Sequence, residues 1–84
     1  MKTVVLYTRE GCCLCDDARR VLTDVLDRHP GTFQIQECDI DGDDRLHAMY
    51  LERIPVVTID GQETFELFVR QSELEQRLGI VGAG

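Results

Sequence analysis

The sequence predicts a single α/β domain with the element order β-α-β-α-β-β-α. Three observations carry that expectation. A β-rich apolar run, Thr3-Val4-Val5-Leu6-Tyr7, gives way to a helix-period pattern that opens on Gly11-Cys12-Cys13-Leu14-Cys15. A second strand-like run follows from Phe33 to Cys38. The run Pro55-Val56-Val57-Thr58-Ile59 is then joined by Asp60-Gly61 to a strand around Thr64–Val69, and Asp-Gly between two such runs is a strong hairpin signal, so these last two strands are expected to be antiparallel. Eighty-four residues supply one modest core and no second one. The domain is placed at residues 1–79, with a flexible tail at 80–84.

Each element has a local reason. The first strand is apolar without alternation, as expected of a central strand covered on both faces. In the first helix Leu14, Ala18, Val21, Leu22, Val25 and Leu26 recur at helical spacing, Asp16 and Asp17 suit its N-terminal dipole, Arg28 suits its C-terminal one, and His29-Pro30-Gly31 stops it. Asp39-Ile40-Asp41-Gly42 leads into a short helix carrying Leu46, Met49, Tyr50 and Leu51. Ser72-Glu73-Leu74-Glu75 has the spacing of a capping box, with Ser72 as N-cap, for a last helix that runs to about Leu78 and stops at Gly79.

Composition narrows the function classes. Sixteen acidic against nine basic residues give a net charge of −7, which repels phosphate backbones and anionic membranes and leaves no basic stripe to overcome that repulsion. Neither nucleic acid nor a membrane is an expected partner, and a monomer is the expected state. The chain opens Met1-Lys2-Thr3 and turns at once into strand, without an apolar signal segment, a spanning stretch or a lipidation pattern, so a reducing cytoplasm is the expected compartment. Clustered thiols in that compartment point to catalysis or metal binding, not to a structural staple.

The cysteines carry the chemistry. Cys12-x-x-Cys15 at a strand-to-helix junction places the first sulfur beside unpaired backbone N–H groups and the positive end of the helix dipole, both of which favour thiolate. Arg9, three residues upstream, adds a cation that suits a thiolate or a substrate carboxylate, while Asp16 and Asp17 oppose ionisation of the sulfur.

The element order, Cys12-Cys13-Leu14-Cys15 opening a helix, and Ile54-Pro55-Val56 before a hairpin together resemble the glutaredoxins, small thioredoxin-fold thiol–disulfide oxidoreductases. The likeness covers nearly the whole chain and is closest to short bacterial glutaredoxin-like proteins with Cys-x-Leu-Cys-Asp in place of Cys-Pro-aromatic-Cys. It implies a four-stranded mixed sheet in the order 2-1-3-4 flanked by three helices, Cys12 as nucleophile and Cys15 as resolving thiol. It also implies a cis Ile54–Pro55 bond facing Cys12, with the Ile54 backbone available to pair with substrate. No bound cofactor is implied; the partner is a protein or small-molecule disulfide, with glutathione a candidate co-substrate. Helical geometry supports the same pairing, because Cys12 and Cys15 lie one turn apart, whereas a Cys12–Cys13 bridge needs Cα atoms about 3.8 Å apart, below the usual disulfide window of ~4.4–6.8 Å.

Other residues stay open at this level. Cys13 stands where the family has proline and is a third redox thiol, a metal ligand or an exposed small residue. Cys38 reads as an inert apolar residue, and His29 and His47 as surface or boundary residues. Two features depart from the family: the proline between the cysteines is missing, and the Gly-Gly-x-Asp-like turn that commonly holds the glutathione γ-glutamyl end is replaced by Glu66-Leu67-Phe68-Val69-Arg70-Gln71-Ser72-Glu73. A metal or iron–sulfur module using Cys12, Cys13 and Cys15, and a redox-inactive adaptor of the same fold, are the competing functions.

Overall fold

The computed structural model describes residues 2–80. Its elements are β1 (Lys2–Thr8), α1 (Cys13–Arg28), β2 (Phe33–Asp39), a 3₁₀ turn (Ile40–Gly42), α2 (Asp44–Tyr50), β3 (Val56–Ile59), β4 (Gln62–Glu66) and α3 (Gln71–Arg77). The strands form one mixed sheet in the order β2-β1-β3-β4. β1 runs parallel to β2, from Lys2 opposite Phe33 to Thr8 opposite Asp39, and antiparallel to β3. β3 and β4 are antiparallel, and both turn residues between them, Asp60 and Gly61, have positive φ. That is the conformation a type I′ turn demands, and the Asp60 carboxylate also accepts the Thr3 N–H, pinning the hairpin to β1.

Alternation along the strands divides the core in two. Val4 and Leu6 of β1, Val57 and Ile59 of β3 and Phe65 of β4 point to one face, where Ala18, Leu22 and Val25 of α1 and Leu74 and Leu78 near α3 cover them. Leu22 is fully buried at the centre of that face, so Leu22→Ala is expected to cost about 2–5 kcal/mol, read as a lower urea midpoint at unchanged slope. A loss below about 1 kcal/mol would show that the face collapses around the missing side chain. On the opposite face Tyr7 and Val56 pack with Cys15, Ile40, Leu46, Tyr50 and Ile54. That face is covered less completely: Thr3, Val5 and Tyr7 stay partly exposed because α2 has only seven residues, so β1 is not sealed on both sides as its composition suggests.

Three local expectations change. β4 ends at Glu66 and does not reach Val69, because Leu67 adopts φ 68° and turns the chain out of the strand conformation. α3 starts two residues early, at Gln71, with Arg70 at its N-cap and no side-chain cap; Leu74 N–H already donates to Arg70 O, so Ser72 lies inside the helix and makes no capping box. Burial of Leu74, not local capping, sets that start. At the other end Gly79 N–H donates to Gln76 O and Ile80 N–H to Glu75 O, with Gly79 at φ 76°. This is a Schellman motif, whose final residue commonly packs back on the helix, and Ile80 does pack against the core instead of fraying. Residues 81–84 of the expected tail lie outside the described residues.

Candidate active site

β1 delivers the chain through Thr8, Arg9, Glu10 and Gly11 to the N-terminus of α1, the longest helix among the described residues. Gly11 turns at φ 81°, a left-handed value that glycine adopts without a Cβ clash. Cys12 follows as the N-cap, with extended backbone angles, and its Sγ accepts the Cys15 N–H at 3.1 Å. Its carbonyl accepts the Asp16 N–H at 3.2 Å, the first bond of the helix. Sulfur thus takes the place that a serine or aspartate oxygen fills at an ordinary N-cap, where donors and dipole stabilise negative charge.

Cys12 and Cys15 form a disulfide, with Cα atoms 5.2 Å apart. The two sulfurs differ in access. Cys15 is fully buried, Cys12 is partly exposed, and the intervening Cys13 is an exposed free thiol. Cys38 is also free and partly buried on β2, directly opposite Tyr7.

The Ile54–Pro55 peptide bond is cis. Ile54 and Pro55 are buried, and Ile54 packs in the same cluster as Cys15, with Cys12 against it. The Ile54 N–H is already used, donating to Tyr50 O at 3.0 Å, while no backbone donor among the described residues engages the Ile54 carbonyl. Of the backbone ledge expected for substrate, the carbonyl is therefore the free half. The Pro55 carbonyl accepts the Leu67 N–H at 2.8 Å, which ties the left-handed Leu67 turn to the proline step. Phe68, one residue on, is the most exposed large apolar side chain described, at 65%.

Several partners of this site carry no sequence signature. Tyr7 and Tyr50 stack with ring centroids 4.7 Å apart beneath the cysteines, and the Arg53 guanidinium lies 5.4 Å from the Tyr50 centroid. Burial, aided by Tyr50, pushes the Tyr7 phenol above its ordinary range, keeping it neutral. Arg53 is held by Glu66 at 2.6 Å and by Glu63, so its charge is spent within the protein. Arg9 is held less firmly: its buried Nε lies 3.4 Å from Asp41 Oδ2 but makes no hydrogen bond, and Asp41 Oδ1 lies 3.6 Å from His47 Nε2. His47 thus shares the Asp41 carboxylate with Arg9. Arg19 forks between Glu37 and Asp16, whose carboxylates raise its guanidinium pKa from its ordinary value. Among the described residues no group of three or more His, Cys, Asp or Glu side chains is arranged to hold a metal ion. No described helix is long and apolar enough to cross a membrane.

Comparison with known proteins matches this geometry to one family. A glutaredoxin-like domain (DUF836) is recognised over residues 3–79. The fold is similar to the solution structure of protein Ne2328 from Nitrosomonas europaea, at 26% identity and a TM-score of 0.76, covering 90% of this chain and 89% of that one. It is similar also to the crystal structure of protein XcR50 from X. campestris, at 28% identity and a TM-score of 0.75, covering 93% of this chain and 97% of that one. Chloroplastic thioredoxin z, at 21% identity, shares the fold, with a TM-score of 0.77 over the whole of this chain and 80% of its own. No curated protein matches the chain. With the family recognised over nearly every described residue, and a Cys12–Cys15 disulfide opening the first helix of a thioredoxin-like sheet, the chain belongs to the glutaredoxin-like domain family.

Proposed function

We propose that the protein is a thiol–disulfide oxidoreductase that reduces disulfides or mixed disulfides through Cys12 and Cys15. The observation that carries this reading is the unequal pair at the helix N-terminus, a partly exposed Cys12 Sγ capped by a backbone N–H and a buried Cys15 bonded to it. In the reduced form Cys12 thiolate attacks one sulfur of a substrate disulfide, forming a mixed disulfide and releasing the other substrate sulfur as a thiolate that takes up a proton. Cys15 then loses its proton and attacks Cys12 Sγ, closing the Cys12–Cys15 bond and releasing the second substrate thiol. Two electrons pass from protein to substrate, and an external thiol reductant must return them. The cytoplasm, whose poise keeps such dithiols reduced, is the compartment that suits this direction.

A coupled assay tests the reading: catalytic reduction of 2-hydroxyethyl disulfide with glutathione, or with a dithiol such as dithiothreitol, as the reductant. Turnover above the protein-free rate is expected, and none with either reductant would leave the redox-inactive adaptor standing. Peptide mapping after mild oxidation tests the pairing separately. It should return Cys12 linked to Cys15, with Cys13 and Cys38 free; Cys13 or Cys38 in the principal bridge would reassign the working pair.

A further inference from the structure

The large apolar side chains exposed among the described residues are Met49, Leu51, Leu67 and Phe68, and they are not scattered. They fall on two segments, 49–51 at the end of α2 and 67–68 after β4, which both flank the Ile54–Pro55 step packed beside Cys12. The first segment leads directly into that step. The second is bonded to it, because the Leu67 N–H is shared between Pro55 O at 2.8 Å and Arg53 O at 3.2 Å. Single exposed apolar residues are ordinary, whereas a group of them around one point of the surface marks a contact site.

The backbone at Leu67 adds a second observation. Phe68 N–H donates to Glu66 O at 2.8 Å across Leu67 at φ 68°, which makes a γ-turn with positive φ at its centre, a rare and strained form. Glycine holds such a backbone without a Cβ clash, yet leucine stands there, and neither Leu67 nor Phe68 joins the two core clusters. Strain kept in order to present exposed side chains is characteristic of ligand contacts. The third observation is polar: the Ile54 N–H is taken by Tyr50 O, while no backbone donor among the described residues engages the Ile54 carbonyl. What fits here brings an N–H donor and an apolar side chain together. A polypeptide segment does so, and a small polar disulfide does not.

We propose that Leu67 and Phe68 form a docking ledge for an apolar side chain of the substrate polypeptide, borne by a neighbour of the cysteine under attack, and that the protein selects peptide disulfides with apolar flanks over polar ones. The inference rests on the oxidoreductase reading and adds the substrate class. An extended chain advances about 3.3 Å per residue, so a substrate half-cystine at Cys12 carries its neighbours past Ile54 toward the ledge. Leu67 and Phe68 act as specificity residues, while Cys12 performs the exchange. Fully burying a leucine- or phenylalanine-sized side chain favours association by more than about tenfold, and partial burial on an open ledge by roughly fivefold.

The test uses the full chain, reduced beforehand, in single-turnover oxidation, so that its own dithiol supplies both electrons. The substrates are disulfide-linked dimers of two end-blocked, uncharged pentapeptides, Gly-Phe-Cys-Leu-Gly and Gly-Ser-Cys-Thr-Gly, with 2-hydroxyethyl disulfide as reference. Each rate is divided by that of dithiothreitol with the same disulfide to remove intrinsic reactivity. The apolar peptide is expected to react about fivefold or more faster than the polar one, and the ratio should survive high ionic strength, which screens charges but not apolar contact. In Leu67→Asn/Phe68→Ser, where asparagine tolerates the left-handed backbone, the ratio should fall to about one with the polar-peptide rate kept. Equal normalised rates in the parent chain, a ratio that collapses with salt, a ratio retained in the variant, or equal loss of both rates there would each overturn the ledge. So would sedimentation showing a dimer of the parent chain that the double variant dissociates, since a second copy would then be the occupant. No reaction with any of the three disulfides would instead overturn the oxidoreductase reading.

Discussion

Cys12→Ser is expected to reduce catalytic disulfide exchange to the protein-free level, while Cys15→Ser should still attack substrate and accumulate a mixed disulfide at Cys12. The size of the first effect does not come from thiolate fraction alone. Lowering a thiol from about 8.5 to about 7 raises its ionised fraction at neutral pH about sixteenfold, but the Brønsted loss of nucleophilicity returns about fivefold of that, leaving a gain of about threefold. Position matters more. Cys12 is the accessible sulfur one helical turn from a buried partner, so its mixed disulfide can be resolved from within the protein. Cys13, two residues from Cys15 on the same helix, projects to a different side, and a disulfide formed there has no internal thiol in line to release it. Cys13→Ser should therefore cost less than either neighbour. Mass spectrometry of each serine variant after one equivalent of substrate disulfide, alongside steady-state turnover, checks the assignment. Full turnover in Cys12→Ser with loss in Cys13→Ser would move the nucleophile by one residue.

Residue types and short spacings made the scaffold legible. The apolar β1 run, the helical period from Leu14 to Leu26 and the Asp60-Gly61 turn each encode their structure within a few residues, and each is found where the pattern puts it. The Cys-x-x-Cys spacing belongs to the same class, since a helix turn brings its two ends together whatever the rest of the chain does. What stayed hidden depends on contacts between distant segments. Nothing local marks Leu67 for φ 68°; the turn is held by its N–H reaching Pro55 O and Arg53 O. The Ser72 capping box reads well in isolation, yet helix formation from Arg70 onward absorbs it. Asp41 looks like a turn residue until the fold sets it against both Arg9 and His47. The same holds for the Ile54 N–H, whose capture by Tyr50 O follows from how α2 enters β3.

These hidden contacts bear directly on glutathione, for which a weak complex is expected: a dissociation constant on the order of millimolar for reduced Cys15→Ser, which cannot close the internal disulfide, so that non-covalent binding is measured alone. Three expected anchors are altered. Arg9, the cation nearest the cysteines in sequence, is drawn to Asp41, and the Ile54 N–H is already donated to Tyr50 O. In place of the glycine turn that would approach a γ-glutamyl carboxylate stand Leu67 and exposed Phe68, followed by the seven-residue α3 with Glu73 in its first turn. Hydrogen bonds to charged groups contribute about 1.5–3 kcal/mol each, so two left unmade weaken binding by about a hundredfold or more. The carboxylates around Cys12 add repulsion, because glutathione itself is anionic and the chain carries a net charge of −7. Calorimetric titration of glutathione into Cys15→Ser measures the affinity, and raising the ionic strength should tighten the complex, because screening relieves repulsion. Micromolar binding that weakens with salt would show the opposite: that the Arg70–Glu73 segment rearranges into an anion cradle when the ligand arrives.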